Sequence, residues 1–470
     1  MTIPRGVTSK LPLAAIMLDS QDLADRSKPP QTPPLAGFKL PPTSAVRLPS
    51  GLEVVVVEDR RFPLVTVRMA FRAGSVFDPD DLPGLAEATA ALLTEGTSSR
   101  TARQIAEELA SIGGTLDASA SEDTFITGGR VLSDNIERLM DLLADVILHP
   151  SFPGEEIALY QQNRTQELLY QRSQPATLAE EGLAQAVFGS HPYSRLNPTP
   201  EAIQKLNQEW LAWYRGRHLA PNNAVLILLG DLPSRENILR LIENHFGSLP
   251  ECELPQPPPA QFPEPTRAVV LVDRPGSVQA EIRLGKLALD RRHPEHFPLL
   301  AGSTILGGGA SSRLFSNIRE KKGYAYSVGS VLHRLRNRGL FSMYAQVRHE
   351  VLGEALQECL AELERMAQEP VTAAELSDVK DYLSGNFVMS LETQSGLAGQ
   401  LATIKALDLP EDYLETFTEG IRGVEPDQIQ KAAAQFISPG NAAIVVVGDA
   451  EKIGSALERF GEARVTRAGP

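Results

Sequence analysis

The chain has 470 residues, 42% of them hydrophobic and 22% charged, with a formal net charge of −14. That composition is of a folded globular protein with room for about two to four domains, and the acidic balance argues against a nucleic-acid partner. Two cysteines, Cys252 and Cys359, exclude a disulfide framework or a cysteine-built zinc cluster. With no apolar run of about 18 residues, no integral membrane segment is expected.

Arg5 and Lys10 precede a short apolar run, residues 11–18, without a clear small-x-small cleavage site. Residues 1–45 are therefore expected to be a signal-like or disordered arm. The signal-like run favours a periplasmic or secreted protein and leaves the cytoplasm open. Folding is expected to begin near Ser50 and Gly51, with strands at 52–58 and 64–71. Asp81 is placed to cap a helix over 83–94. Further helices are expected at 101–112, 135–148, 154–172, 176–188, near Glu201, at 208–217 and at 234–246. Strands are expected within 115–131 and at 224–230. Residues 249–266 carry seven prolines and read as a stiff linker. It separates an N-terminal domain, 46–248, from a C-terminal one, 267–470.

The second half repeats the first. Pro221-Asn222-Asn223 and the apolar strand after it match Pro439-Gly440-Asn441 and its strand. Gly96-Thr97-Ser98-Ser99-Arg100 matches Gly309-Ala310-Ser311-Ser312-Arg313. The offsets, 218 and 213 residues, mark a domain-length repeat, not a solenoid. Strands, then helices, then a late strand and helix in each half predict an α+β sandwich of helices on a sheet.

Within the second half, Gly307, Gly308 and Gly309 open a loop. Leu314, Phe315 and Ile318 follow at helical spacing, Gly323 stops the helix, and 324–328 alternates as a strand. Arg319 at the helix end and Tyr326 in the strand can point at one cleft. Such a pair is either a solvated arginine beside a half-buried tyrosine, or two donors aimed at a carbonyl and the oxyanion it becomes.

The wording Ser-Ser-Arg-Leu-Phe-x-x-Ile-Arg-Glu-x-x-Gly-x-Ala-Tyr-Ser resembles the arginine/tyrosine segment of the pitrilysin-type metallopeptidases, zinc enzymes with the inverted motif H-x-x-E-H that include processing peptidases. The resemblance covers roughly residues 45–460. It implies two homologous domains, each a mixed sheet covered by helices, arranged as half of a clamshell. It also implies that Arg319 and Tyr326 hold substrate and stabilise the tetrahedral intermediate, with Gly307, Gly308, Gly309 and Ser311 lining the chamber. In the family the zinc motif lies on the first helix, where two histidines bind the metal and the glutamate is the general base. Here that helix has Glu87 for the first histidine, Ala90 for the base and Ala91 for the second histidine, and Glu167 falls near the last glutamate ligand. The only close histidine pair, His293 and His296, has no third ligand apparent, and phosphate-loop and nucleophile-elbow signatures are missing. No cofactor is therefore expected on this chain. The resemblance implies a non-zinc subunit facing a homologous zinc-bearing partner and acting on peptides, with zinc in that partner. The alternative is a catalytically inactive structural or peptide-binding protein of the same fold.

Overall fold

Runs such as Ala224–Gly230, buried at every position, read as strands covered on both faces, and that demand shapes the molecule. A computed structural model of the chain describes residues 38–264 and 266–467. The signal-like run at 11–18 lies outside the described residues. The first sheet is built from β1 (Thr43–Arg47), β2 (Glu53–Glu58), β3 (Leu64–Phe71), β4 (Thr115–Ala120), β5 (Phe125–Leu132) and β6 (Ala224–Gly230), in the order β1-β2-β6-β3-β5-β4. The second contains β7 (Val269–Asp273), β8 (Gln279–Ala288), β9 (Ala325–Arg334), β10 (Gly339–Arg348), β11 (Ala443–Gly448) and β12 (Ala463–Arg467), in the order β12-β7-β11-β8-β10-β9. In each sheet the late strand, β6 or β11, runs parallel to one neighbour and antiparallel to the other. Only the outermost strand on one side, β1 or β12, comes from opposite ends of its half. The fold is α+β with two mixed sheets, as the repeat predicts.

Each sheet is covered on one face by its own helices and on the other by a helix from the opposite half. Val55, Val57, Ile227 and Leu229 of the first sheet pack with Leu397, Leu401 and Phe417 of the second half. Val445 and Val447 of the second sheet pack with Leu178, Leu183 and Phe188 of the first. Gly182 on the helix Pro175–Phe188 permits this approach, because a Cβ there would stand 2.9 Å from Val445. The reciprocal covering makes burial of the two outer faces interdependent. Among the described residues no helix is long and apolar enough to cross a membrane.

Four local expectations are corrected. Folding begins at β1, before Ser50: residues 43–47 pair antiparallel with β2, but their exposure alternates without an apolar run, so periodicity alone does not mark them. The first helix is shorter than 83–94, at Leu85–Leu92. Its start is capped by Asp78, not Asp81: the Asp78 carboxylate accepts from the Gly84 N–H at 2.8 Å and the Ala86 N–H at 2.9 Å. Asp81 instead pairs with Lys205 at 3.1 Å. The helix after the glycines is a π-helix, Phe315–Lys321, whose wider turn the spacing of Leu314 and Ile318 does not reveal.

Candidate functional site

The helix His296–Gly307 ends against β9. Gly307 is buried there: a Cβ on it would lie 2.2 Å from the Ser330 backbone nitrogen, and the Ser330 hydroxyl donates to the Ser303 carbonyl at 2.8 Å. Gly307 is thus a packing glycine and does not line an open surface, which corrects its expected role. Gly308, Gly309 and Ser311 are exposed.

From this turn the chain enters the π-helix. The Lys322 N–H reaches the Asn317 carbonyl at 3.0 Å, five residues back. Gly323, with φ of +65°, then closes the helix, and the Tyr324 N–H bonds the Ile318 carbonyl at 2.9 Å. Side chains fix the segment to its neighbours. Arg313 makes a two-pronged ion pair with Glu375, 2.6 and 3.0 Å, which holds the Glu375 carboxyl down at about 2. Asn317 donates to Glu362 at 2.8 Å and Glu358 at 3.1 Å. Leu314 and Ile318 are fully buried beneath it, while Phe315, expected in the core, is only half-buried.

Arg319 and Tyr326 do come together. The Arg319 guanidinium carbon lies 4.7 Å from the Phe315 ring centroid and 5.0 Å from that of Tyr326, so two aromatic rings hold the cation. Tyr326 is 75% exposed. It sits where the β9–β10 register slips: Gln346 faces Ser327 but Val347 faces Ala325, leaving Tyr326 as the extra residue of a bulge that turns its side chain out of the alternation. Both residues therefore occupy local departures from regular geometry, a π-turn and a β-bulge, of the kind that re-aims side chains. The guanidinium and phenol present N–H and O–H donors on one surface, at the open edge of the second sheet.

The helix that the resemblance aligns with the zinc motif lies in the first half and has different chemistry. Glu87 is half-buried, Ala90 buried and Ala91 exposed on the helix Leu85–Leu92. Between Glu87 and Glu167 lies Arg164, 6% exposed, 3.0 Å from Glu87 and 3.6 Å from Glu167. It also donates to Gln171 at 3.2 Å and Asn197 at 3.4 Å. Burial and the Glu87 charge push the nearby Tyr160 phenol well above its ordinary value. These residues do not fit a zinc ion. Two alanines offer no donor atom, no imidazole is present, and a guanidinium occupies the space between the two carboxylates. Among the described residues no group of three His, Cys, Asp or Glu side chains is placed to hold a metal. Sequence reading missed Arg164, although its position three residues before Glu167 puts both on one helix face.

Comparison with known proteins bears on the fold and the family. Residues 53–199 match the insulinase family, peptidase family M16, and residues 205–383 match the peptidase M16 inactive domain. An uncharacterized zinc protease of Rickettsia bellii is 28% identical over 409 residues, spanning 85% of this chain and 96% of the relative. One from Bacillus subtilis is 25% identical, spanning 84% and 96%. The crystal structure of a peptidase M16 inactive domain from Pseudomonas fluorescens superposes with a TM-score of 0.80 at 28% identity, covering 86% of this chain and 98% of that one. A protease from Helicobacter pylori shares the fold, with a TM-score of 0.79 at 22% identity over 87% of this chain and 100% of that one. Sheets, repeat and matched segments together make this chain a member of peptidase family M16.

Proposed function

We propose that this chain is the non-zinc subunit of a split-site metallopeptidase, supplying Arg319 and Tyr326 to a site whose metal sits on a homologous partner. The observation that carries the reading is the exposed Arg319–Tyr326 stack beside a first half whose metal position holds a guanidinium. A large, solvent-exposed aromatic capped by a cation is a recognition surface waiting for a second wall. An extended peptide would pair with an open sheet edge through its backbone, and β4 and β9 are such edges. Arg319 and Tyr326 would donate to the scissile carbonyl and, more strongly, to the oxyanion formed from it. The exposed Gly308, Gly309 and Ser311 would face the same chamber.

The test is peptide cleavage by the chain alone, by a zinc-bearing M16 partner alone, and by the mixture, each with and without chelator. Chelator-sensitive cleavage that requires the mixture, and falls about 100-fold or more in Arg319→Ala and Tyr326→Phe without loss of assembly, is the expected result. Cleavage by the lone chain would overturn the reading. Loss of assembly in those variants, with no separate loss of turnover, would favour a structural role.

A further inference from the structure

We infer that Arg164 is a built-in cation that does the structural work a metal does elsewhere, neutralising Glu87 and Glu167 and tying the helix Leu85–Leu92 to the helix Gly154–Arg172. The inference rests on the position of the guanidinium, not on the proposed subunit role. Two carboxylates from separate helices converge on one nearly buried cation, at 3.0 and 3.6 Å. Nη1 donates to Gln171 at 3.2 Å and Nη2 to Glu87 and Asn197 at 3.3 and 3.4 Å, while Nε faces Glu87 at 3.0 Å without hydrogen-bond geometry. Those partners are themselves held, since Gln171 donates to Glu167 at 3.1 Å and Asn197 to Glu181 at 2.9 Å. A planar guanidinium suits this task, because it presents several donors in fixed directions and stays charged when buried. A bare pair of carboxylates facing each other there would repel.

Arg164 is on this reading a positioning residue. Removing its charge leaves an acidic pair open to an external cation, so the chain becomes cation-dependent where the native one is not. The measurement is thermal unfolding of the whole chain with Zn²⁺, with chelator and with neither, alongside zinc content after dialysis. Native protein should show no Tm change between the three conditions and no stoichiometric zinc. Arg164→Met, which keeps much of the apolar stem, should unfold roughly 3 °C or more lower and regain part of that with Zn²⁺. The triple variant Glu87→Gln, Arg164→Met, Glu167→Gln removes both signs of charge. It should be more stable than Arg164→Met and indifferent to zinc. It also decides the matter if the single variant fails to fold.

One zinc per native chain, lost in Glu87→Gln, would overturn the inference. So would a triple variant no more stable than Arg164→Met, because Arg164 would then act through packing alone. These readouts use the lone chain and no substrate, so they can fail while the split-site proposal stands, and the reverse.

Discussion

Replacing Asp78 tests how the helix Leu85–Leu92 is held. Its carboxylate is buried and accepts the Gly84 and Ala86 N–H groups at 2.8 and 2.9 Å. Asp78→Ala leaves two buried donors without acceptors, at about 1–3 kcal/mol each, so the helix-bearing half should lose roughly 2–5 kcal/mol. The pH dependence carries a second signature. Burial pushes the Asp78 carboxyl up to about 7 from 3.8, against the opposing pull of the Ala86 and Gly84 N–H groups. Between those values the folded state holds a proton that the unfolded state has lost. Stability from this group is therefore complete below pH 3.8, declines by about 1.4 kcal/mol per pH unit, and is lost as pH rises through 7. Asp78→Asn cannot ionise and should remove that decline. Both tryptophans, Trp210 and Trp213, lie in the helix Gln208–His218, which packs on the capped helix. Urea unfolding followed by tryptophan fluorescence, from pH 5 to pH 8, is thus a local assay. If native protein and Asp78→Asn show the same slope, or Asp78→Ala is as stable as the native chain, the account of this cap is wrong.

His218 predicts the opposite pH trend. It is buried among Phe77, Trp213 and Tyr214, and burial and the Arg217 charge bring its pKa down to about 4 from 6.5. Stability from it is present above pH 6.5 and lost as pH falls through 4, and His218→Phe should reduce acid unfolding in that window by up to about 3 kcal/mol. Gly307→Ala drives a Cβ to 2.2 Å from the Ser330 nitrogen; calorimetry should show a loss of about 1–3 kcal/mol. Tyr193→Phe removes the hydroxyl that donates to buried Asp123 at 2.5 Å. Asp123 also accepts the Arg336 N–H of the other half at 2.8 Å, so a cost of about 1–3 kcal/mol should appear together with faster proteolysis near the 249–266 linker.

Much of the architecture was legible because it rests on patterns one chain displays. The wholly apolar β6 and β11 runs announce strands covered on both faces, and the paired Pro-Asn-Asn and Pro-Gly-Asn approaches announce the repeat. What escaped depends on partners far apart in sequence. β1 is a strand because β2 is beside it, and its own residues carry no apolar signal. Asp78 rather than Asp81 caps because loop geometry, not adjacency, brings its oxygens to the helix start. The resemblance singled out Arg319 and Tyr326 correctly as neighbours, but the π-turn and bulge that bring them together are single-residue changes of register without a composition signature. Gly307 was misjudged because a glycine needed for flexibility and one needed for close packing look alike in sequence.

In both halves the ties that hold the frame lie apart from the positions that the resemblance assigns to chemistry. The arginine of each Ser-Ser-Arg segment is an anchor: Arg100 pairs with Asp145 and Asp141 at 2.7 Å each, and Arg313 with Glu375 at 2.6 Å. These ties lie apart from the reacting positions, so they survive changes there. On the helix Leu85–Leu92 the core is made by Leu85, Ala86, Ala88, Thr89 and Leu92. Of the three motif positions, only 90 is deeply buried, and alanine fills it with good helix propensity. The residues present at 87, 90 and 91 thus leave the core closed, and the Glu87 and Glu167 carboxylates need a cation. Arg164 meets that need from the neighbouring helix. The second half carries the stacked arginine and the bulged tyrosine, whose N–H and O–H groups are donors. On the split-site proposal, mixing with a zinc-bearing partner is therefore the experiment on which activity turns.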